Sequence, residues 1–183
     1  EPGFMVRLAL AKALNRDLFV QPGLFGNGLP AYGTTNAAMG FYYDEGLGET
    51  SEQAYDPEGA QKLMAAAGYP GGEGFPTLRL QTTPNGRRLG LVVANIYKQV
   101  LGITVEVDPK EFSVGIEEFQ KMDFDLRLGG SGGDYDPDDG LVDWMQTQSK
   151  FNGPMRDKDA MPFGFYSEAE SDAAIDEQAF TAE

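Results

Sequence analysis

The residues that most readily suggest chemistry lie between positions 129 and 145. Gly129, Gly130, Gly132 and Gly133 are interrupted only by Ser131, and Asp134 follows directly. Glycine at the end of a strand leaves main-chain N–H and C=O groups uncovered, which admits close approach by a ligand or another backbone. In open α/β sheets the C-terminal ends of the strands are where ligands bind. Bare peptide groups beside one carboxylate suit an extended peptide, whose backbone adds as a strand while Asp134 pairs with its α-ammonium. Tyr135 and Trp144 can line an apolar pocket beside the acid, although a lone Trp serves equally well in a core. The same stretch also fits a plain acidic turn.

Other chemistries find less support. Asp134, Asp136 and Asp138 match the first three ligand positions of a calcium loop. Its sixth position, normally Gly, is Asp139, and its twelfth, normally Glu, is Met145. Pro137 stiffens the fourth position. GGSGGD lacks the Lys and Ser/Thr that a phosphate loop needs, and its Asp would repel phosphate. Two carboxylates flanking a glycosidic bond remain open, because 29 acidic residues always supply pairs, but nothing marks one out. Arg127 falls on the opposite strand face from Gly130, Gly132 and Asp134 if the strand runs straight, which suits a structural or interfacial role.

Composition narrows the field further. The chain has 183 residues, the size of one domain, with 14 Lys and Arg against 29 Asp and Glu and a net charge of −15. Apolar residues make up 41%, enough for a core. There is no Cys and no His. Disulfide frameworks, iron–sulfur clusters, thiol nucleophiles, Ser-His-Asp catalysis and most zinc sites are thereby excluded. The negative charge opposes nucleic-acid binding, and Arg87-Arg88 is no basic patch. Apolar runs fall well short of the ~20 residues of a membrane span. No cofactor motif appears. The chain opens on Glu1-Pro2-Gly3 without an initiator Met or signal peptide. The segment 4–16 is apolar almost all round, the pattern of a helix buried on most sides, and its position at the start suggests that a neighbouring piece has been removed.

The remaining elements are legible from their punctuation. Residues 21–50, rich in Gly and aromatics, read as a long loop, which is usually functional or packed on something. Asp56 and Pro57 open a helix with Ala60, Leu63, Met64 and Ala67 on one face, stopped by Gly68. Residues 77–83 alternate as a strand. Residues 86–101 form the strongest amphipathic helix, closed by Gly102. Residues 103–108 read as a half-buried strand, 112–121 as a short helix, 123–130 as a strand and 138–147 as a short helix carrying Trp144. Residues 151–167 look irregular and 168–181 helical. Strand and helix alternate from 56 onward, which predicts an α/β sheet covered by helices.

Five ordered pieces, VRLALAKALNRDLFV (6–20), YDPEGAQKLMAAAGYP (55–70), LGITVEVDPKEF (101–112), FDLRLGGSGGDYDPDDGLVDWM (124–145) and FYSEAESDAAIDEQA (165–179), give the chain a family resemblance. It resembles the C-terminal-half lobe of the dipeptide/oligopeptide-type extracellular solute-binding proteins (family 5) of ABC transporters. The resemblance implies one lobe of a type II periplasmic-binding-protein fold, a mixed sheet flanked by helices, with residues 1–183 a fragment of a larger two-lobed protein. It implies a non-enzymatic importer component that captures peptides in the periplasm or outside the cell, membrane-associated through the transporter permease. In peptide-binding relatives the Asp matching Asp134 takes the α-ammonium, and the positions of Gly132 and Gly130 offer backbone hydrogen bonds. Relatives usually place an aromatic where Ser131 stands, so that contact is lost here or comes from elsewhere. Other relatives take sugars, opines or nickel complexes, and the absence of His gives no support to direct nickel ligation. A single lobe has half the contacts and exposes the face its N-terminal-half partner covers, so weak binding and self-association are expected. A carboxylate-dependent hydrolase and a calcium-dependent adhesion module are the competing classes.

Overall fold

The computed structural model describes residues 2–33, 35–130, 136–147 and 168–178. The chain divides into two compact units. The first comprises Glu1–Gly33, Asp44–Phe112 and Phe124–Gly129, and the second Thr34–Tyr43, Ser113–Asp123 and Gly130–Glu183.

The first unit is built on a three-stranded sheet of β1 (Leu78–Thr82), β2 (Val105–Pro109) and β3 (Leu126–Arg127), in the order β2-β1-β3. Both pairings are parallel: Leu78 to Thr82 lie opposite Val105 to Pro109, and Leu80 and Gln81 lie opposite Leu126 and Arg127. The α/β class expected from the alternation is what forms. The sheet carries a core of Ala9, Leu10, Ala13, Ala60, Met64, Leu80, Val93, Ile96, Tyr97, Leu101, Ile103 and Val105.

Local chemistry explains each helix around that core. In α4 (Pro57–Ala66) the Asp56 carboxylate accepts the Gly59 N–H at 2.8 Å and Pro57 occupies the first turn. Its C-terminus closes when Tyr69 donates to the Met64 carbonyl and Gly68 to that of Ala65, with Gly68 at φ 98°. The longest helix among the described residues, α5 (Arg87–Leu101), buries Gly90, Val93, Ile96, Tyr97 and Leu101 and ends at left-handed Gly102. Glycine is required at 102, because a Cβ there would lie 2.1 Å from the Gly71 carbonyl oxygen. Gly90 brings α5 onto the sheet, since a Cβ there would meet Val107 Cγ1 at 2.7 Å.

Two sequence expectations are revised in this unit. The first apolar segment forms α1 (Pro2–Ala13), but only Ala9, Leu10 and Ala13 are buried and Phe4 remains exposed. The helix packs one side on α4 and α5. Asn15 ends it early by accepting the Leu18 N–H and starting α2 (Arg16–Leu18), which runs into a π-type turn over Phe19–Gly23. The expected loop 21–50 is broken in part by short helices. One is α3 (Leu47–Thr50) in this unit, and the other is a 3₁₀ segment over Ala37–Tyr42, interrupted at Gly40, in the second unit.

The second unit also holds most of α6 (Phe112–Gln120), together with α7 (Pro137–Met145) and α8 (Ala169–Gln178). The last two are joined by polar contacts: Gln146 Nε2 donates to Asp176 Oδ1 at 2.8 Å, and the Thr147 N–H to Asp172 Oδ1 at 2.9 Å. Ile175 is buried in α8. The segment 151–167, expected to be irregular, lies outside the described residues.

Candidate ligand-binding rim

Because all three strands are parallel, their C-terminal ends share one rim, at Thr82, Pro109 and Arg127. The chain leaves β1 for β2 on one side and later returns to β3 on the other. The ends of β1 and β3 therefore flank the point where the strand order reverses, which is where open α/β sheets bind ligands.

β3 is an edge strand, with β1 on one side and no strand on the other among the described residues. Its inner edge is bonded to β1 by the short ladder and by single bonds on either side of it. Asp125 Oδ2 accepts the Arg79 N–H at 2.7 Å, the Asp125 N–H reaches the Arg79 carbonyl at 3.3 Å, and the Leu128 N–H reaches that of Gln81 at 2.9 Å. Leu126 and Leu128 pack against the core. The two-residue ladder is shorter than the expected strand 123–130, because the ladder proper is confined to Leu126 and Arg127 and the flanking residues add only single bonds.

Beyond Leu128 the backbone emerges. Gly129 and Gly130 are exposed, and a Cβ on Gly130 would meet nothing within 4 Å. Neither residue has a left-handed φ, so chain conformation does not demand glycine at either position. What glycine supplies here is uncovered main chain. Gly130 thus lies just beyond the end of β3. Ser131, Gly132, Asp134 and Tyr135 lie outside the described residues, as does the Trp144 side chain, whose backbone belongs to α7.

The acids of the calcium reading have other work. Asp136 caps α7 by accepting the Asp138 N–H at 3.0 Å, and Asp138 Oδ1 accepts from Gln178 Nε2. Residues 137–145 are helical, with Pro137 in the first turn, so they do not wrap an ion as a calcium loop would. Among the described residues no group of three or more His, Cys, Asp or Glu could hold a metal.

Electrostatics elsewhere in the first unit is structural. Arg79 and Lys110 approach Asp108 at 3.6 and 3.1 Å, a partly exposed cluster of modest worth. Burial pushes the Tyr97 hydroxyl up to about 12, with nearby Arg16 opposing it. Arg127 is exposed at the strand edge rather than on the core face of Leu126 and Leu128, and only partial desolvation by its neighbours there lowers its pKa.

One rim residue is invisible to sequence reading. Thr82 is 4% exposed, shares a strand face with Leu78 and Leu80, and its hydroxyl has no hydrogen-bond partner among the described residues. The available signal is the run Thr82-Thr83-Pro84-Asn85-Gly86-Arg87-Arg88 between a strand and a helix, which lacks any acid.

Comparison with known proteins agrees with this architecture. Residues 5–153 match the family model for bacterial extracellular solute-binding proteins, family 5. The chain is 30% identical over 162 residues to the periplasmic murein peptide-binding protein MppA of Escherichia coli K12, covering 84% of this chain and 30% of that protein. It is 28% identical over 155 residues to the periplasmic oligopeptide-binding protein OppA of Salmonella typhimurium LT2, covering 80% of this chain and 27% of that protein. The crystal structure of the periplasmic oligopeptide-binding protein OppAIV of Borrelia burgdorferi superposes with a TM-score of 0.77 at 26% identity, covering 94% of this chain and 32% of that one. The chain thus spans about 30% of the length of the curated relatives it matches. With a family model matched over residues 5–153, most of its length, the chain belongs to the family 5 bacterial extracellular solute-binding proteins.

Proposed function

We propose that this chain is one lobe of the substrate-binding component of an ABC importer and that its guest is a di- or oligopeptide. The observation that carries the reading is the emergence of uncovered, non-left-handed glycine backbone at Gly129 and Gly130, directly off the open edge strand. An extended peptide pairs with main chain at Gly130 and Gly132, and Asp134 takes its α-ammonium. Backbone pairing gives affinity indifferent to side chains, while the carboxylate fixes register. Tyr135 and Trp144 supply apolar surface, and the contact that an aromatic makes at the position of Ser131 in relatives is lost or comes from elsewhere. A second lobe closing over this one removes water and strengthens the ion pair, and a membrane permease receives the cargo. The names of the two relatives, a murein peptide-binding and an oligopeptide-binding protein, favour peptide over sugar, opine or nickel complex.

The test is calorimetry on the two-lobed protein that contains this sequence, with a free tripeptide and its N-acetylated form. Acetylation removes the ammonium, and Asp134→Asn removes its partner. Each change costs about 2–5 kcal/mol, since one desolvated charge is left unpaired. Equal affinity for free and acetylated peptide excludes the Asp134 clamp.

A further inference from the structure

The loop that follows the π-type turn holds a strained residue. Phe25 has φ 55°, which is unfavourable for a bulky side chain, and it is 77% exposed. Two sets of contacts keep it there. The Arg88 guanidinium lies over its ring at 3.7 Å and donates to the Gly23 carbonyl. Asn27 closes the turn onto the Leu24 carbonyl twice, through its main-chain N–H at 3.0 Å and through Nδ2 at 3.2 Å.

Asn27 is also chemically vulnerable. Asparagine is thermolabile, and a following glycine has no Cβ to hinder attack by its main-chain nitrogen on the asparagine side chain. Two such pairs lie among the described residues, Asn27-Gly28 and Asn85-Gly86, and a third, Asn152-Gly153, lies outside them. Both described asparagines are exposed, so access to water does not separate them. Backbone freedom does. The Gly86 N–H donates to the Thr83 carbonyl at 3.0 Å and to Thr83 Oγ1 at 3.2 Å, and the Gly86 carbonyl accepts from the Gly90 N–H. Turning the 85–86 peptide for attack therefore unwinds the start of α5, which Gly90 seats on the sheet. Gly28 belongs to no helix or strand. Its N–H reaches the Gly26 carbonyl at 3.2 Å across a three-residue turn, which is a weak bond to break.

We propose that Asn27-Gly28 is a self-modifying site whose co-reactant is water, and that its reaction undoes the turn fixing Phe25. The Gly28 nitrogen gives its proton to hydroxide and bonds to Asn27 Cγ. The Cγ–Nδ2 bond breaks, and Nδ2 takes a proton from water and leaves as ammonia. Water then opens the cyclic imide. Cleavage of the Cγ–N bond gives aspartate, and cleavage of the main-chain carbonyl–N bond gives isoaspartate. Both products lose the Nδ2 donor to Leu24, and isoaspartate adds a methylene to the main chain. The site uses none of the residues assigned to peptide capture and stands apart from that reading.

The test ages the 183-residue chain in mildly alkaline buffer, natively and in urea, and follows each asparagine by tryptic mapping. Peptide 17–62 carries Asn27 and Asn36, which fragmentation separates, and peptide 80–87 carries Asn85. In the native chain Asn27 is expected to convert at least about fivefold faster than Asn85, the equivalent of one net hydrogen bond fewer to open. In urea the two rates are expected to converge, since both are Asn-Gly. The proposal is overturned if Asn27 does not convert natively, if Asn85 converts as fast, or if the native ratio is no larger than the ratio in urea. The modified chain is separated by its added negative charge and digested briefly with chymotrypsin. Cleavage after Phe25 is expected to be about threefold faster or more than in the parent, because the loop opens more often. Equal cleavage rates overturn the link between the modification and the turn.

Discussion

Gly90 is where α5 meets the sheet, and its replacement by alanine offers a quantitative check on how that helix is seated. A Cβ at 90 would stand 2.7 Å from Val107 Cγ1, whereas its distance to Leu80 Cδ2, 3.5 Å, is an ordinary contact. The first approach is about 1 Å inside the usual carbon–carbon separation. Overpacking of this kind costs about 1–3 kcal/mol. Alanine recovers about 0.5–1 kcal/mol of helix propensity over glycine. The net expectation is a loss centred on about 1 kcal/mol and reaching about 2.5 kcal/mol, the central value corresponding to about 2–4 °C in melting temperature for a chain of this size. The offending atom is a side-chain methyl, so Val107→Ala makes room. That single change costs about 1 kcal/mol in a half-buried strand position. The double variant is expected to be more stable than the two losses summed, with a coupling of at least about 1 kcal/mol. Native-state hydrogen exchange at β1 and α5 amides is the suitable assay, because it reads the first unit by itself in a chain of two units. If Gly90→Ala is as stable as the parent, or if the two changes add without coupling, then α5 does not rest on β2 through this glycine.

Three further outcomes are expected. Gly102→Ala costs more than Gly90→Ala, about 3 kcal/mol or more, because Gly102 is left-handed and its neighbour is the Gly71 carbonyl, which no rotamer change can move; chemical denaturation checks the order. Tyr97 ionises late, so the unfolded chain sheds that proton first and stability falls as pH rises from about 10 towards the folded value of about 12. Melting curves across that interval are expected to show a shallower fall in Tyr97→Phe, and identical slopes refute the assignment. Finally, the 183-residue chain alone is expected to bind tripeptides no tighter than about millimolar, since half of a two-lobed clamp has half the contacts and admits water; micromolar calorimetric binding contradicts the need for a second lobe.

Much of the first unit was legible because its signals are local. Asp56-Pro57 and Gly68 bracket α4, and the stripe from Leu89 to Leu101 with Gly102 after it defines α5, so caps and periodicity specify these without tertiary help. The acidic run 136–139 resolves into a helix start for the same reason, since Pro137 suits a first turn and Asp136 a cap. What was not legible depends on neighbours. The apolar perimeter of α1 overstates its burial, because the number of helices packed around it is not a property of its own residues. The central place of β1, and hence the position of the rim, follows from strand order, which local pattern does not encode. Thr82 is an unremarkable threonine until β1 becomes the middle strand and α5 covers it, and only then does its hydroxyl become isolated. Of the residues read as a peptide clamp, Gly130 follows β3 with its backbone exposed, while Ser131, Gly132, Asp134 and Tyr135 lie outside the described residues.

The unequal ladders of the sheet carry a consequence of their own. β1 is fastened to β2 across five residue pairs but to β3 across two. The β1–β3 seam is therefore the thinner one, and fluctuations should open it first. A guest laid along the outer side of β3 would turn a hem into an inner row and clasp the amides of that side between two neighbours. Slowed deuterium uptake at those β3 amides would then report occupancy directly, and cargo would act as a splint for the loosest stitch of the domain.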